Sequence, residues 1–221
     1  MYVGRTAMYI PIHGISTETY FPDVLKLPHE MLELLQLCWS ASDEGEMEGR
    51  PYMGTTRPWQ VLAWATTRYG VLRAYVTSVT LTREGASTSI RITARSWKQK
   101  WSKAEAIDLI ASHLGRGEWA PLFTAWLGDG ETRWCEVLRG KHRLVIAAKE
   151  PWRLGHGISS KEAVVATGKE AFVKLREAAG IYGELLDLLK AHKRIVVKLA
   201  TDDAFRAAFK QKTRKRSIDV L

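Results

Sequence analysis

Apolar positions recur at helical spacing early in the chain and switch to alternation further on. After Pro28, residues Met31, Leu34, Leu35 and Cys38 fall at i, i+3, i+4 and i+7, which predicts a helix. That helix runs into an acidic cluster, Asp43, Glu44, Glu46 and Glu48, around Gly45. Pro58 opens a second helix over Trp59 to Tyr69, closed by Gly70. Residues 1–26 read as short extended pieces broken by Pro11, Gly14 and Pro22. From Val71 to Arg83 the chain is rich in Val, Thr and Tyr, Glu84-Gly85 marks a turn, and Ser87 to Ser96 follows as a second strand. In that strand Ile90, Ile92 and Ala94 alternate with Arg91, Thr93 and Arg95, so one face is apolar and the other polar and largely cationic.

The second half opens on Ser102-Lys-Ala-Glu105, a capping box, and a helix bearing Ile107, Ile110, Ala111 and Leu114 that Gly115 and Gly117 end. An apolar helix is expected over Leu122 to Gly128. A hairpin is expected next, with strands over Thr132 to Leu138 and Arg143 to Lys149 around Arg139-Gly140-Lys141. The last seventy residues read as helical. A capping box at Ser159 to Glu162 opens a helix that stops at Gly180, a second runs from Tyr182 to His192, and a last one starts at Thr201 or Asp202. The order suggests an α+β protein of two related halves. The halves are 27–117 and 118–209, between an extended segment, 1–26, and a frayed basic tail, 210–221.

Composition narrows the partners. The 221 residues are 46% hydrophobic, enough for a core, and carry a net charge of +9, which favours polyanions. Residues 57–100 hold eight Lys or Arg against Glu84 alone. Cys38 and Cys135 sit among apolar residues and read as buried thiols of a reducing compartment. No His/Cys spacing suits zinc. No signal peptide or membrane span is evident, so a cytoplasmic protein is expected. The absence of asparagine fits a thermophilic source.

The candidate chemistry lies at Leu122-Phe-Thr-Ala-Trp-Leu-Gly-Asp-Gly130, an apolar helix ending in an acid between two glycines. The C-terminal end of a helix repels negative charge, so an acid there is more easily explained by a divalent metal than by stability. This stretch resembles the LAGLIDADG motif of homing endonucleases, and Trp126-Leu-Gly-Asp-Gly130 is similar to the form found in many archaeal members. The resemblance implies a pseudo-twofold repeat of the αββαββα type with extra C-terminal helices. It also implies two motif helices side by side, one metal-binding acid from each, and antiparallel sheets that lie over double-stranded DNA. Asp129 holds the acid position.

The matching first copy is Leu37-Cys-Trp-Ser-Ala-Ser-Asp-Glu-Gly45, which puts Glu44 in register, 85 positions before Asp129, with Asp43 the alternative acid if the helix ends one residue early. It departs from the pattern at Trp39, where a small residue is usual. The family reading makes Mg²⁺ or Mn²⁺ the cofactor, held by Asp129 and Glu44. It also calls for a lysine or arginine in each half, for which Lys98 and Lys193, with Lys149 and Lys190, are the candidates. Arg73, Arg83, Arg91 and Arg95, then Arg133, Arg139, Lys141 and Arg143, are the expected DNA contacts. A monomer acting as a pseudo-dimer is expected. The alternatives are a catalytically inactive DNA-binding protein on the same fold and a protein–protein interaction domain.

Overall fold

An α+β architecture joins an antiparallel sheet of seven strands, a smaller sheet of three, and helices in both halves of the chain. The computed structural model describes residues 2–3, 7–83, 85–130, 132–147, 158–160 and 163–218. Two units emerge, Met1–Ala106 and Ile107–Leu221. The division falls inside a helix, where the sequence reading puts the boundary after it, at 117.

The first unit begins with strands β1 (Tyr2–Val3), β2 (Ala7–Pro11) and β3 (Ser16–Phe21). It continues with α1 (His29–Ser40), β4 (Glu44–Met47), β5 (Arg50–Thr55), α2 (Pro58–Ala65), β6 (Gly70–Thr82), β7 (Gly85–Ala94) and α3 (Lys103–Gly115). From α1 to α3 the order is αββαββα. The sheet runs β1-β2-β6-β7-β5-β4. β2 and β3 share one edge of the long β6, β2 along Ser78–Thr82 and β3 along Gly70–Tyr75. A bulge between Val76 and Ser78 separates the two pairings.

Alternation in β5, β6 and β7 sorts the two faces. Met53, Leu72, Ile92 and Ala94 are buried, as are Leu35, Cys38 and Trp39 of α1 and Ala63 and Trp64 of α2. On the other face the register sets Tyr52 and Arg73 beside Thr93, and Tyr75 beside Arg91.

α1 stops at Ser40, earlier than the motif register requires, and its serines explain why. Ser42 Oγ donates to the Cys38 carbonyl, so a side chain occupies a carbonyl at the helix end, and Ser40 Oγ gives its single proton to Glu44 Oε1 at the start of β4. Glu44 is therefore not on a helix tip but is the first residue of β4.

The second unit contains α4 (Ala120–Asp129), α5 (Trp134–Leu138), β8 (Arg143–Ala147), β9 (Ile158–Ser160), β10 (Ala163–Thr167), α6 (Lys169–Leu188), α7 (His192–Thr201) and α8 (Asp203–Ile218). β10 lies between β8 and β9. Several expectations change here. Trp134 to Leu138 is a helical turn, not a strand, and only an isolated bridge from Gly130 to Ile146 stands where a paired strand was expected.

Ser159 lies in β9 rather than at a helix start, and the helix begins ten residues later, at Lys169. Glu162 of the expected capping box lies outside the described residues. Gly180, with φ 45° and ψ −138°, is non-helical, so α6 is two helices that meet at a kink where the first was expected to stop. The β-branched run Ile195-Val-Val is helical, with Val196 and Val197 buried beside Leu199 and Ala200. The helix α8 continues through residues expected to fray. Among the described residues, no helix is long and apolar enough to cross a membrane.

Candidate functional site

In the first unit, Glu44 is a buried structural carboxylate. Its Oε1 accepts from Arg68 Nη2 (2.6 Å), Ser40 Oγ (2.6 Å) and Gln99 Nε2 (3.3 Å). Its Oε2 accepts from Arg68 Nε (2.9 Å) and Trp64 Nε1 (2.7 Å). The Arg68 and Glu44 side chains are 1% and 0% exposed. Five donors use the lone pairs, and the guanidinium neutralises the charge. This donor set does not fit a metal ligand, and Glu44 is withdrawn from the candidate metal site.

Its neighbour Asp43 has the environment that Glu44 lacks. It lies in the turn after α1, half-buried. Gln60 Nε2 donates to its Oδ2, and Thr55 Oγ1 donates to Gln60 Oε1. Asp43 lines an open hollow of about 390 Å³ with Thr55, Gln60, Thr77 and Arg91. The carbonyl of Ser42, just before it, accepts from Lys103 Nζ at 2.6 Å.

In the second unit, the expected apolar helix is α4: Leu122 to Leu127 are buried and Asp129 is its last residue, half-buried. The Gly130 amide turns back to the Trp126 carbonyl at 2.8 Å. A Cβ at Gly130 would lie 2.3 Å from that oxygen and 2.5 Å from the indole, so glycine is the residue that fits. Lys193 Nζ donates to the carbonyls of Trp126 and Gly128. An ammonium thus stands at the negative end of the α4 dipole, beside Asp129, and offsets the repulsion that the bare motif carries.

The two acid-bearing ends share a detail. Lys103 reaches the carbonyl immediately before Asp43, and Lys193 the carbonyl immediately before Asp129. The lysines follow their aspartates by 60 and 64 residues. Of the four lysines expected to assist, the structure brings Lys193 to the carbonyl just before Asp129. Lys98 is exposed in the segment between β7 and α3, Lys190 is exposed at the turn after α6, and Lys149 lies outside the described residues. Sequence reading missed Lys103. The one available signal was its spacing from Asp43, visible only once Asp43 rather than Glu44 is the reference.

The basic residues expected on DNA fall into three sets. Arg73, Arg91 and Arg95 line one hollow of about 400 Å³ on the polar face of the large sheet, together with Arg50, His13 and one acid, Glu48. Arg91 and Thr77 also line the Asp43 hollow, so the two depressions meet at Arg91. Arg73 stacks on Tyr75 at 5.0 Å and Arg91 on Tyr52 at 5.4 Å, which holds the guanidinium groups over the sheet. Arg95 pairs with Glu18 at 3.5 Å. Arg83 is exposed at the β6–β7 tip, away from this group. In the second unit Arg133, Arg139, Lys141 and Arg143 are exposed around α5 and the start of β8.

Among the described residues, no three His, Cys, Asp or Glu side chains cluster. Comparison with known proteins finds no matching family model, no matching curated sequence and no matching solved structure.

Proposed function

We propose that the chain is a LAGLIDADG-like protein that binds double-stranded DNA and cleaves it with Mg²⁺ or Mn²⁺, through Asp129 of the second unit and Asp43 of the first. The observation that carries the reading is the repeated lysine: one ammonium donates to the carbonyl just before Asp43, in the turn after α1, and another to the carbonyl just before Asp129, in the last turn of α4. The αββαββα order over 29–115 supports the same family, and the arginine-lined sheet face supports a phosphate-rich partner.

Each aspartate offers one carboxylate to a divalent ion whose other ligands are water and phosphate oxygens, a ligand set that suits Mg²⁺. Such an ion supplies charge stabilisation and an activated water for phosphodiester hydrolysis. The chain's own residues do the rest. Gln60 orients Asp43, Lys103 and Lys193 hold the helix ends and place positive charge near developing negative charge, and Arg91 stands between the Asp43 hollow and the basic hollow.

The test is nicking of supercoiled plasmid with Mg²⁺ or Mn²⁺. Asp129→Asn and Asp43→Asn are expected to abolish nicking and to leave retention on heparin unchanged. Persistent nicking in both variants removes the assignment. One observation favours a DNA-binding protein without cleavage: α4 is followed by α5 and a single bridge, whereas α1 is followed by the full β4–β5 hairpin. Parent protein that retains duplex DNA but nicks nothing with either ion selects that second reading.

A further inference from the structure

The basic hollow on the polar face of the large sheet contains a buried hydroxyl that the fold does not use. Thr93 lines the hollow and is 5% exposed, and its Oγ1 finds no hydrogen-bond partner among the described residues. A buried polar atom left unpaired is costly, and natural folds rarely keep one without a use for it. The register places Thr93 at the centre of the cationic group. Arg73 stands opposite it on β6 and Tyr52 on β5. Arg91 and Arg95 lie two residues to either side along the chain, on the same face. These neighbours are long side chains that can turn toward a ligand without moving the sheet.

Part of the positive charge is answered within the hollow. Glu48 is in its wall, and Glu18, opposite Arg73 in the β3–β6 register, pairs with Arg95 at 3.5 Å. Arg50 donates to the Arg95 carbonyl. Arg73 and Arg91 instead rest on rings, 5.0 Å from Tyr75 and 5.4 Å from Tyr52. An aromatic face steadies a guanidinium without consuming its N–H fork, which stays matched to phosphate. Ile12, Ile15 and Val76 give the hollow an apolar wall as well. Its volume, about 400 Å³, is that of a small-molecule pocket and exceeds what a bare oxyanion fills.

We propose that this hollow is a seat for one phosphate ester. The Thr93 hydroxyl and the guanidinium groups of Arg73 and Arg91 hold the phosphate, and the apolar wall takes the organic part. The ester is a free nucleotide or a backbone phosphate of a strand, and the proposal rests on the DNA reading only in the second case.

The test is titration calorimetry of the full chain in about 50 mM KCl with adenosine monophosphate, adenosine and a short DNA duplex. Thr93→Val keeps the branched shape and removes the hydroxyl. Because that hydroxyl has no partner in the fold, Tm should hold or rise. A lost hydrogen bond to a charged group weakens binding about tenfold or more, the change expected for the phosphate ester in Thr93→Val. Arg73→Gln/Arg91→Gln should lose more, and Arg83→Gln, exposed at the β6–β7 tip, should match the parent. Adenosine should not bind. Ester affinities in Thr93→Val within about twofold of the parent overturn the seat. So does adenosine that binds as tightly as its monophosphate, or a parent that binds neither monophosphate nor duplex. Monophosphate binding by a parent that ignores duplex keeps the seat, for a free nucleotide, and removes the DNA reading. Duplex binding alone, weakened in Thr93→Val, assigns the seat to a backbone phosphate. Duplex binding alone that Thr93→Val leaves unchanged keeps the DNA reading and removes the seat.

Discussion

Replacing Arg68 with methionine isolates what Glu44 does. The guanidinium donates to both carboxylate oxygens, at 2.6 and 2.9 Å, and the pair is almost wholly sealed from solvent. Methionine keeps much of the volume but leaves a buried carboxylate with three neutral donors, Ser40, Trp64 and Gln99. Removing one partner of a buried ion pair costs about 3–5 kcal/mol, because the survivor keeps its desolvation penalty without its counter-charge. For a chain of this length each kcal/mol moves Tm by about 2–4 °C, so Arg68→Met should lower Tm by roughly 6–20 °C. Glu44→Gln should cost a similar amount by stranding the arginine. The double variant removes both charges and should recover most of the loss, with a coupling energy of about 2 kcal/mol or more.

Thermal unfolding followed by tryptophan fluorescence reads all four proteins. A loss below about 1 kcal/mol in Arg68→Met refutes the structural assignment, as does simple additivity in the double variant. The same series decides between the two candidate acids. At a temperature where the protein is folded, Glu44→Gln should keep metal-dependent nicking while Asp43→Asn loses it. The reverse pattern makes Glu44 the functional acid and Asp43 a turn residue.

Other expectations follow from single contacts. Gly130→Ala sets a methyl against the Trp126 carbonyl and indole and should cost about 1–3 kcal/mol, seen as a lower denaturation midpoint; an unchanged midpoint shows that the turn can open. Lys193→Met removes the cation at the end of α4. It should lower stability by about 1 kcal/mol and suppress nicking while the salt slope of DNA binding moves by less than one unit; unimpaired nicking confines Lys193 to a structural role. The Ser102 amide and hydroxyl donate to Glu105 and hold its carboxyl below its ordinary value of 4.5. A depressed folded-state pKa gives stability that is present above 4.5 and lost as pH falls through the folded value. The stability difference between parent and Glu105→Gln should therefore shrink on acidification below pH 4.5 and be flat from pH 6 to 8; a gap that widens in acid contradicts the sign.

Much of the fold was legible because period and punctuation agreed. The i, i+3, i+4, i+7 run after Pro28, the alternation through Ile90, Ile92 and Ala94, and the Ser102 to Glu105 box all gave elements within a few residues of those expected. The failures have physical causes. Ser159 to Glu162 has the letters of a capping box, but strand pairing of Ser159 with Val164 and Ser160 with Ala163 overrides a local signal worth about 1 kcal/mol. Where a strand was expected over Thr132 to Leu138, α5 forms from Trp134, and Thr132 bridges to β8 through its hydroxyl alone, donating to the Arg143 carbonyl and accepting from the Val145 amide.

The site was harder to read than the fold because a motif register assumes that both helices end at the same step. A register set on Gly45 makes Glu44 the counterpart of Asp129. Gly45 is indeed constrained, but by Tyr52: a Cβ there would stand 2.8 Å from the tyrosine ring across the β4–β5 pair. It is a strand glycine, whereas Gly130 is a helix-end glycine held against Trp126. Aligning the two compares residues that are glycine for different reasons. Aligning instead by the carbonyl that receives a lysine sets Ser42 against Gly128 and Asp43 against Asp129. It also frees Glu44 for the work its burial requires. A carboxylate sealed in a dry interior needs a guanidinium of its own, and one so satisfied has little left to offer an ion. The two adjacent acids thus divide the tasks: Glu44 fixes the end of α1 to β4 and α2, and Asp43, one residue away, is left facing the open hollow.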